Sequence, residues 1–209
     1  MEARRLGADG VELDVRRSAD GGLVVHHDAA LPDGRPIRTL RVAELPAEVP
    51  LLTPALDACD GMLVNIEIKN LPTEGEFDPT EAVAIAVAAL ASERRLSVGA
   101  RYLISAFTLA TIDAVRAAEP DLPTGWLIPP RFDQLAAVQT AAERGHVAVH
   151  PHHQAVTAEL VAAAHAAGLA VNTWTVDDPV RMQLLADLGV DAIITNVPNI
   201  ALTALAPYR

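Results

Sequence analysis

Basic residues are scarce in this chain: 16 Lys and Arg stand against 27 Asp and Glu, a formal net charge of −11 over 209 residues. That balance argues against a nucleic-acid partner, which draws on a basic face. An anionic substrate would need positive charge concentrated locally, in a metal ion or a few placed Lys and Arg side chains. Cysteine is scarcer still. Cys59 is the only one, so neither a disulfide within the chain nor a thiolate zinc site can form. No apolar run reaches the ~18 residues of a membrane-spanning helix, and no basic-then-apolar leader opens the sequence. Gly-Ser linkers and low-complexity tracts are lacking too, so a single domain over residues 1–209 is expected.

What is present is apolar. Hydrophobic residues make up 51%, enough for a substantial core. Short β-type runs alternate with longer alanine-rich stretches. Strands are expected at Gly10–Val15, Leu23–His26, Met62–Ile68, Tyr102–Ser105, Thr124–Ile128, Val147–Val149, Leu169–Trp174 and Ala192–Thr195. Helices are expected at Pro79–Leu96, Leu109–Ala118, Phe132–Glu143, Ala158–Ala167, Pro179–Leu188 and Ile200–Ala206, with a short one at Leu52–Asp60 holding Cys59 as a small apolar residue. Thr157, Asp177 and Asp178 sit where helix caps belong, Pro179 suits a first turn, and Gly168 and Gly189 suit helix ends.

Strand–helix alternation predicts a parallel sheet, because each parallel crossover needs a helix. Ala19-Asp20-Gly21-Gly22 reads as a hairpin-type turn, which makes Leu23–His26 an excursion from that sheet. Seven strands remain, one short of a TIM-type (β/α)8 barrel. An open doubly wound sheet is the alternative. Its dinucleotide version wants a glycine-rich turn after the first strand, where this chain has Arg16-Arg17-Ser18, so the barrel is preferred.

Two strands carry acids where a buried strand should be apolar. Alternation through Gly10–Val15 puts Glu12 and Asp14 on one face, and through Leu63–Lys69 puts Asn65, Glu67 and Lys69 on one face. Burying bare carboxylates is costly unless a cation or hydrogen bonds compensate. Glu12, Asp14 and Glu67 therefore point to one bound cation, and an all-oxygen set suits Mg²⁺ or Ca²⁺. An ion-pair network, with Lys69 and an arginine neutralising the acids, is the alternative. His27 follows the excursion strand on the face of Leu23 and Val25, with His26 opposite. A histidine near three acids is a candidate general acid or base. His150, His152 and His153 around Pro151 read as solvated or pocket-lining rather than as a second metal site.

The run Gly7-Ala8-Asp9-Gly10-Val11-Glu12-Leu13-Asp14-Val15, then His27-Asp28, then Asn65-Ile66-Glu67-Ile68-Lys69, resembles the glycerophosphodiester phosphodiesterase family. Ser105-Ala106-Phe107, Asn172 to Val176 and Gly189 to Asn196 follow in that family's order and spacing. The resemblance implies a barrel whose rim holds one divalent cation on Glu12, Asp14 and Glu67. It further implies Lys69 facing the substrate phosphate, His27 as one of two acid–base histidines, and Phe107 and Trp174 lining the pocket. The substrate implied is a small phosphodiester, cleaved to an alcohol and glycerol 3-phosphate. A lysophospholipase D-like activity and a barrel impaired in catalysis are the alternatives.

The family pattern opens with a His-Arg-Gly strand and a Glu-Asn-Thr motif entering the first helix, and neither is in this sequence. Met1 to Leu6 reads like the tail of that helix. The chain is therefore expected to begin one β/α unit late, consistent with the strand count. A cytoplasmic location is expected, with secretion left open.

Overall fold

Val11, Leu13 and Val15 alternate with Glu12, Asp14 and Arg16 along the first strand, β1 (Gly10–Arg17), so one face is apolar and the other charged. The computed structural model describes residues 2–208. They fall into two units, one spanning Asp9–Pro123 and one formed by Glu2–Ala8 with residues 124–208.

In the first unit β1 turns back into β2 (Leu23–Val25), pairing antiparallel with Val15 opposite Val25. Gly21 makes that turn possible at φ +88°, a left-handed conformation that side chains resist. β3 (Leu63–Ile68) lies parallel to β1, and β4 (Arg101–Ala106) parallel to β3, giving the order β2-β1-β3-β4. α2 (Leu52–Ala58) precedes β3, with Cys59 buried at its end as expected. Between β2 and α2 the chain folds over its own small core of Val24, Leu31, Ile37 and Leu40. That core fixes the excursion beside β1.

The crossover from β3 to β4 is α3 (Ala82–Val98), whose buried face is Val83, Ala84, Val87, Ala88 and Ala91. It starts later than the predicted Pro79. Asp78 holds Thr80 through both the backbone amide and the hydroxyl, and Asn70 ties Asp78 and Glu81 together, so residues 78–81 form a turn. Glu81 adopts φ 54°, rare outside glycine, and its carboxylate accepts from the Asn70 amide at 2.8 Å. α4 (Leu109–Ala118) completes the unit.

The second unit carries four parallel strands in the order β5-β6-β7-β8: β5 (Thr124–Ile128), β6 (Ala148–Pro151), β7 (Ala170–Thr173) and β8 (Ala192–Ile193). They alternate with α5 (Gln134–Glu143), α6 (Ala158–Ala166) and α7 (Pro179–Asp187), and α8 (Pro198–Ala204) packs with α1 (Glu2–Leu6). Thr157 and Asp178 cap α6 and α7 as predicted, and Asp133 caps α5. Asp177 does not cap a helix. Its carboxylate accepts instead from the Thr195 hydroxyl and from the backbone and side-chain N–H groups of Asn196. Among the described residues the parallel strands are β1 and β3–β8, with β2 the antiparallel excursion, and no helix is long and apolar enough to cross a membrane.

Candidate active site

Parallel register between β1 and β3 places Glu12 beside Asn65 and Asp14 beside Glu67. Carboxylate oxygens of Glu12, Asp14 and Glu67 consequently lie within 4.8 Å of one another. Lys69 reaches back into the cluster, its Nζ 2.9 Å from Asp14 Oδ1 and hydrogen-bonded to Glu67. One ammonium thus faces three carboxylates. The arginine that an ion-pair network would require is elsewhere: Arg16 is bound to Glu74 and Glu76.

The electrostatics record the imbalance. Burial, with the charges of Asp14 and Glu67 beside it, pushes the Glu12 carboxyl up to about 8. Burial raises Glu67 as well, against the pull of Lys69. Lys69 loses hydration too, yet Glu67 and Asp14 outweigh that loss and hold it above the ordinary lysine range. Glu12 Oε1 is buried with no hydrogen-bond partner. A buried acceptor without a donor is costly. An orphaned oxygen and an excess of negative charge among three convergent oxygens fit a hard divalent cation.

Around this cluster the first unit brings Phe107 close to Lys69. The Phe107 ring centroid is 5.9 Å from Lys69 Nζ. Among the described residues His27 forms no hydrogen bond with these three carboxylates. Its side chain is 74% exposed, with Nδ1 2.8 Å from Asp28 Oδ1. The facing rule for His26 and His27 presumed a strand, and β2 stops at Val25. Two residues beside the cluster were given no role by their sequence positions. Arg16 is 2% exposed, and Asn65 is buried with neither side-chain polar atom paired.

Trp174 belongs to the second unit, where its indole N–H donates to the His150 carbonyl at 2.8 Å and its ring meets the His152 ring edge-on at 5.1 Å. His150 is not solvated. It is fully buried, and burial alone pulls its pKa down to about 4, so the imidazole is neutral. The Asn172 amide donates to its Nε2 at 3.0 Å, which places the ring proton on Nδ1. Gly125 on the neighbouring strand makes the room: a Cβ there would lie 2.6 Å from Nε2. Gly125→Ala is expected to cost about 1–3 kcal/mol through overpacking, measurable by chemical denaturation. Unchanged stability would show that the imidazole can move aside. Among the described residues, a potential metal-holding group is found at Glu12, Asp14 and Glu67, not at the histidines.

The model of the glycerophosphoryl diester phosphodiesterase family matches residues 1–200. The chain belongs to that family. This family member is 33% identical to Probable glycerophosphodiester phosphodiesterase 2 of Mycobacterium tuberculosis, over 94% of this chain and 79% of that one. It is similar in structure to a Silicibacter pomeroyi protein named for the same family, with TM-score 0.84 and 28% identity over 99% of this chain and 86% of that one. An Oleispira antarctica phosphodiesterase, solved with its product sn-glycerol-3-phosphate, shares the fold at TM-score 0.83 and 23% identity, covering 98% and 88% of the two chains. The fold class is the α/β TIM-type (β/α)8 barrel of this phosphodiesterase family.

Proposed function

We propose that this chain hydrolyses glycerophosphodiesters to an alcohol and glycerol 3-phosphate, using one divalent cation, Mg²⁺ or Ca²⁺, held by Glu12, Asp14 and Glu67. The observation that carries the reading is the convergence of three carboxylates around a single ammonium, with one carboxylate oxygen unpartnered. The chemistry a bound cation supplies there is neutralisation of charge on a phosphoryl oxygen. Lys69, charged and at the edge of the cluster, donates to the substrate phosphate, which answers the unfavourable net charge of the chain locally. Phe107, beside Lys69, supplies apolar surface for the glycerol end. The product in the Oleispira antarctica structure is the one this reaction leaves.

His27 exchanges the proton. Asp28 holds Nδ1, and Nε2 has no hydrogen bond among the described residues, so one ring nitrogen is oriented and the other is available. His27→Ala is expected to lower turnover by ~10²-fold or more, the size of a lost general acid–base group. His26, whose Nδ1 is taken up by the Asp28 carbonyl, should matter far less. Equal losses from the two would mean that the wrong imidazole has been assigned. The function itself is tested by supplying sn-glycero-3-phosphocholine with Mg²⁺ or Ca²⁺ and measuring choline and glycerol 3-phosphate, with and without EDTA. Equimolar products abolished by chelation support the reading, and no products with either cation overturn it.

A further inference from the structure

His27 is held on a short anchor. Among the described residues its side chain hydrogen-bonds to its neighbour Asp28 alone, so where the imidazole stands depends largely on its backbone. That backbone is held by a buried arginine of β1. Arg16 lies two positions beyond Asp14 on β1, and its guanidinium donates from Nε and Nη2 to the His27 carbonyl at 2.9 and 2.6 Å. Nη1 donates to Glu74 Oε2 at 2.8 Å, Nη2 also reaches Glu74 Oε1 at 3.3 Å, and Glu76 forms a further ion pair. The side chain is 2% exposed.

A buried guanidinium persists only when its charge and its N–H donors are met. Here two carboxylates meet the charge, and the carbonyl takes one edge of the fork. The arrangement joins three stretches far apart in the chain: β1 with the cation ligands Glu12 and Asp14, the segment carrying His27, and the turn carrying Glu74 and Glu76. One further bond supports the same segment, from the His26 amide to the Asp14 carbonyl at 3.0 Å. Both of these bonds come from the strand that carries two of the three carboxylates.

We infer that Arg16 is a positioning residue: its guanidinium fixes His27 relative to the carboxylate cluster. The catalytic part of this inference rests on the proton-exchanging role proposed for His27. The structural part does not.

Arg16→Lys separates them. A lysine keeps a cation between Glu74 and Glu76 but lacks the planar fork that reaches the His27 carbonyl. Amide hydrogen exchange over residues 26–30 is expected to quicken about tenfold, the size of one lost hydrogen bond, while β3 stays protected. Glu74→Gln, which leaves the Arg16–His27 contact in place, should not quicken it. Unchanged exchange in Arg16→Lys, or equal quickening in Glu74→Gln, overturns the anchor.

Turnover of sn-glycero-3-phosphocholine at saturating cation should fall about tenfold in kcat for Arg16→Lys with KM little changed, as for a misplaced group. In a His27→Ala background the same substitution should cost less than twofold, because residues that act through one another are not additive. An equal cost in both backgrounds overturns the catalytic part. If His27→Ala alone leaves turnover intact, the assignment of His27 fails, and exchange still decides whether Arg16 is the anchor.

Discussion

Lys69→Met is expected to bind a divalent cation more tightly than the unsubstituted chain, yet to turn over a glycerophosphodiester about 10²–10³-fold more slowly. The two effects have opposite signs because the ammonium has two opposed relations to its surroundings. Toward a cation it is a competitor: Nζ sits 2.9 Å from Asp14 and bonds Glu67, two of the three oxygen donors. Like charges a few Å apart at a protein surface repel by several kcal/mol at an effective dielectric of about 20. Removing the ammonium relieves that repulsion, and about a tenfold gain in affinity is a modest share of it. Toward an anionic phosphodiester the same ammonium is the charged donor at the cluster, and such donors are worth most where charge grows in the transition state. Titration calorimetry with Mg²⁺ and Ca²⁺, beside steady-state kinetics, reads both. Cation binding lost while turnover survives would exchange the roles of Lys69 and the carboxylates.

Much of this was legible because β-strand geometry is simple. Side chains alternate, so Glu12 with Asp14, and Asn65 with Glu67 and Lys69, had to share faces, and in-register parallel pairing brought the two sets together. What stayed hidden depends on partners distant in sequence. Arg16 and Arg17 look alike on paper. Arg16 is buried and Arg17 half-exposed because Glu74 and Glu76 lie 58 and more residues downstream. For His27 alternation gave no guide for a different reason: it was carried past Val25, where the strand ends and the rule lapses. His150 looked like a rim histidine, and the signal for its burial was on another strand, in Gly125. Asp177 and Asp178 were equally good caps in sequence. Only Asp178 caps, because Thr195 and Asn196, just past the last strand, claim Asp177.

Without a divalent cation, the folded chain should lose stability as pH rises from 6.5 to 8.5, and Glu12→Gln should remove much of that loss. The sign follows from where the proton is held. Glu12 has its pKa raised from 4.5 to about 8 by burial and by the charges of Asp14 and Glu67. Between those values the folded state keeps a proton that the unfolded state has released, so stability falls with rising pH until the folded pKa is passed. A shift of that size corresponds to at most about 5 kcal/mol, and the part falling between pH 6.5 and 8 to about 2 kcal/mol. Glu67 is raised too and adds to the same slope. His150 acts oppositely. Its pKa is lowered to about 4, so its contribution is present above the unfolded value and is lost as pH falls, which is why the window opens at 6.5. Lys69, raised above its ordinary value, stays charged throughout and contributes no slope there. Saturating Mg²⁺ or Ca²⁺ should turn the trend around, because the cation binds the folded state and competes with the proton on Glu12. Glu12→Gln should then cross over: more stable than the parent at pH 8.5 in EDTA, less stable than the parent in excess cation. Urea unfolding at three pH values, with EDTA and with cation, measures all four arms. A flat cation-free profile, or a Gln variant that follows the parent in both conditions, would mean that Glu12 is ionised and satisfied by protein groups alone. The cluster would then be an ion-pair network and not a cation site.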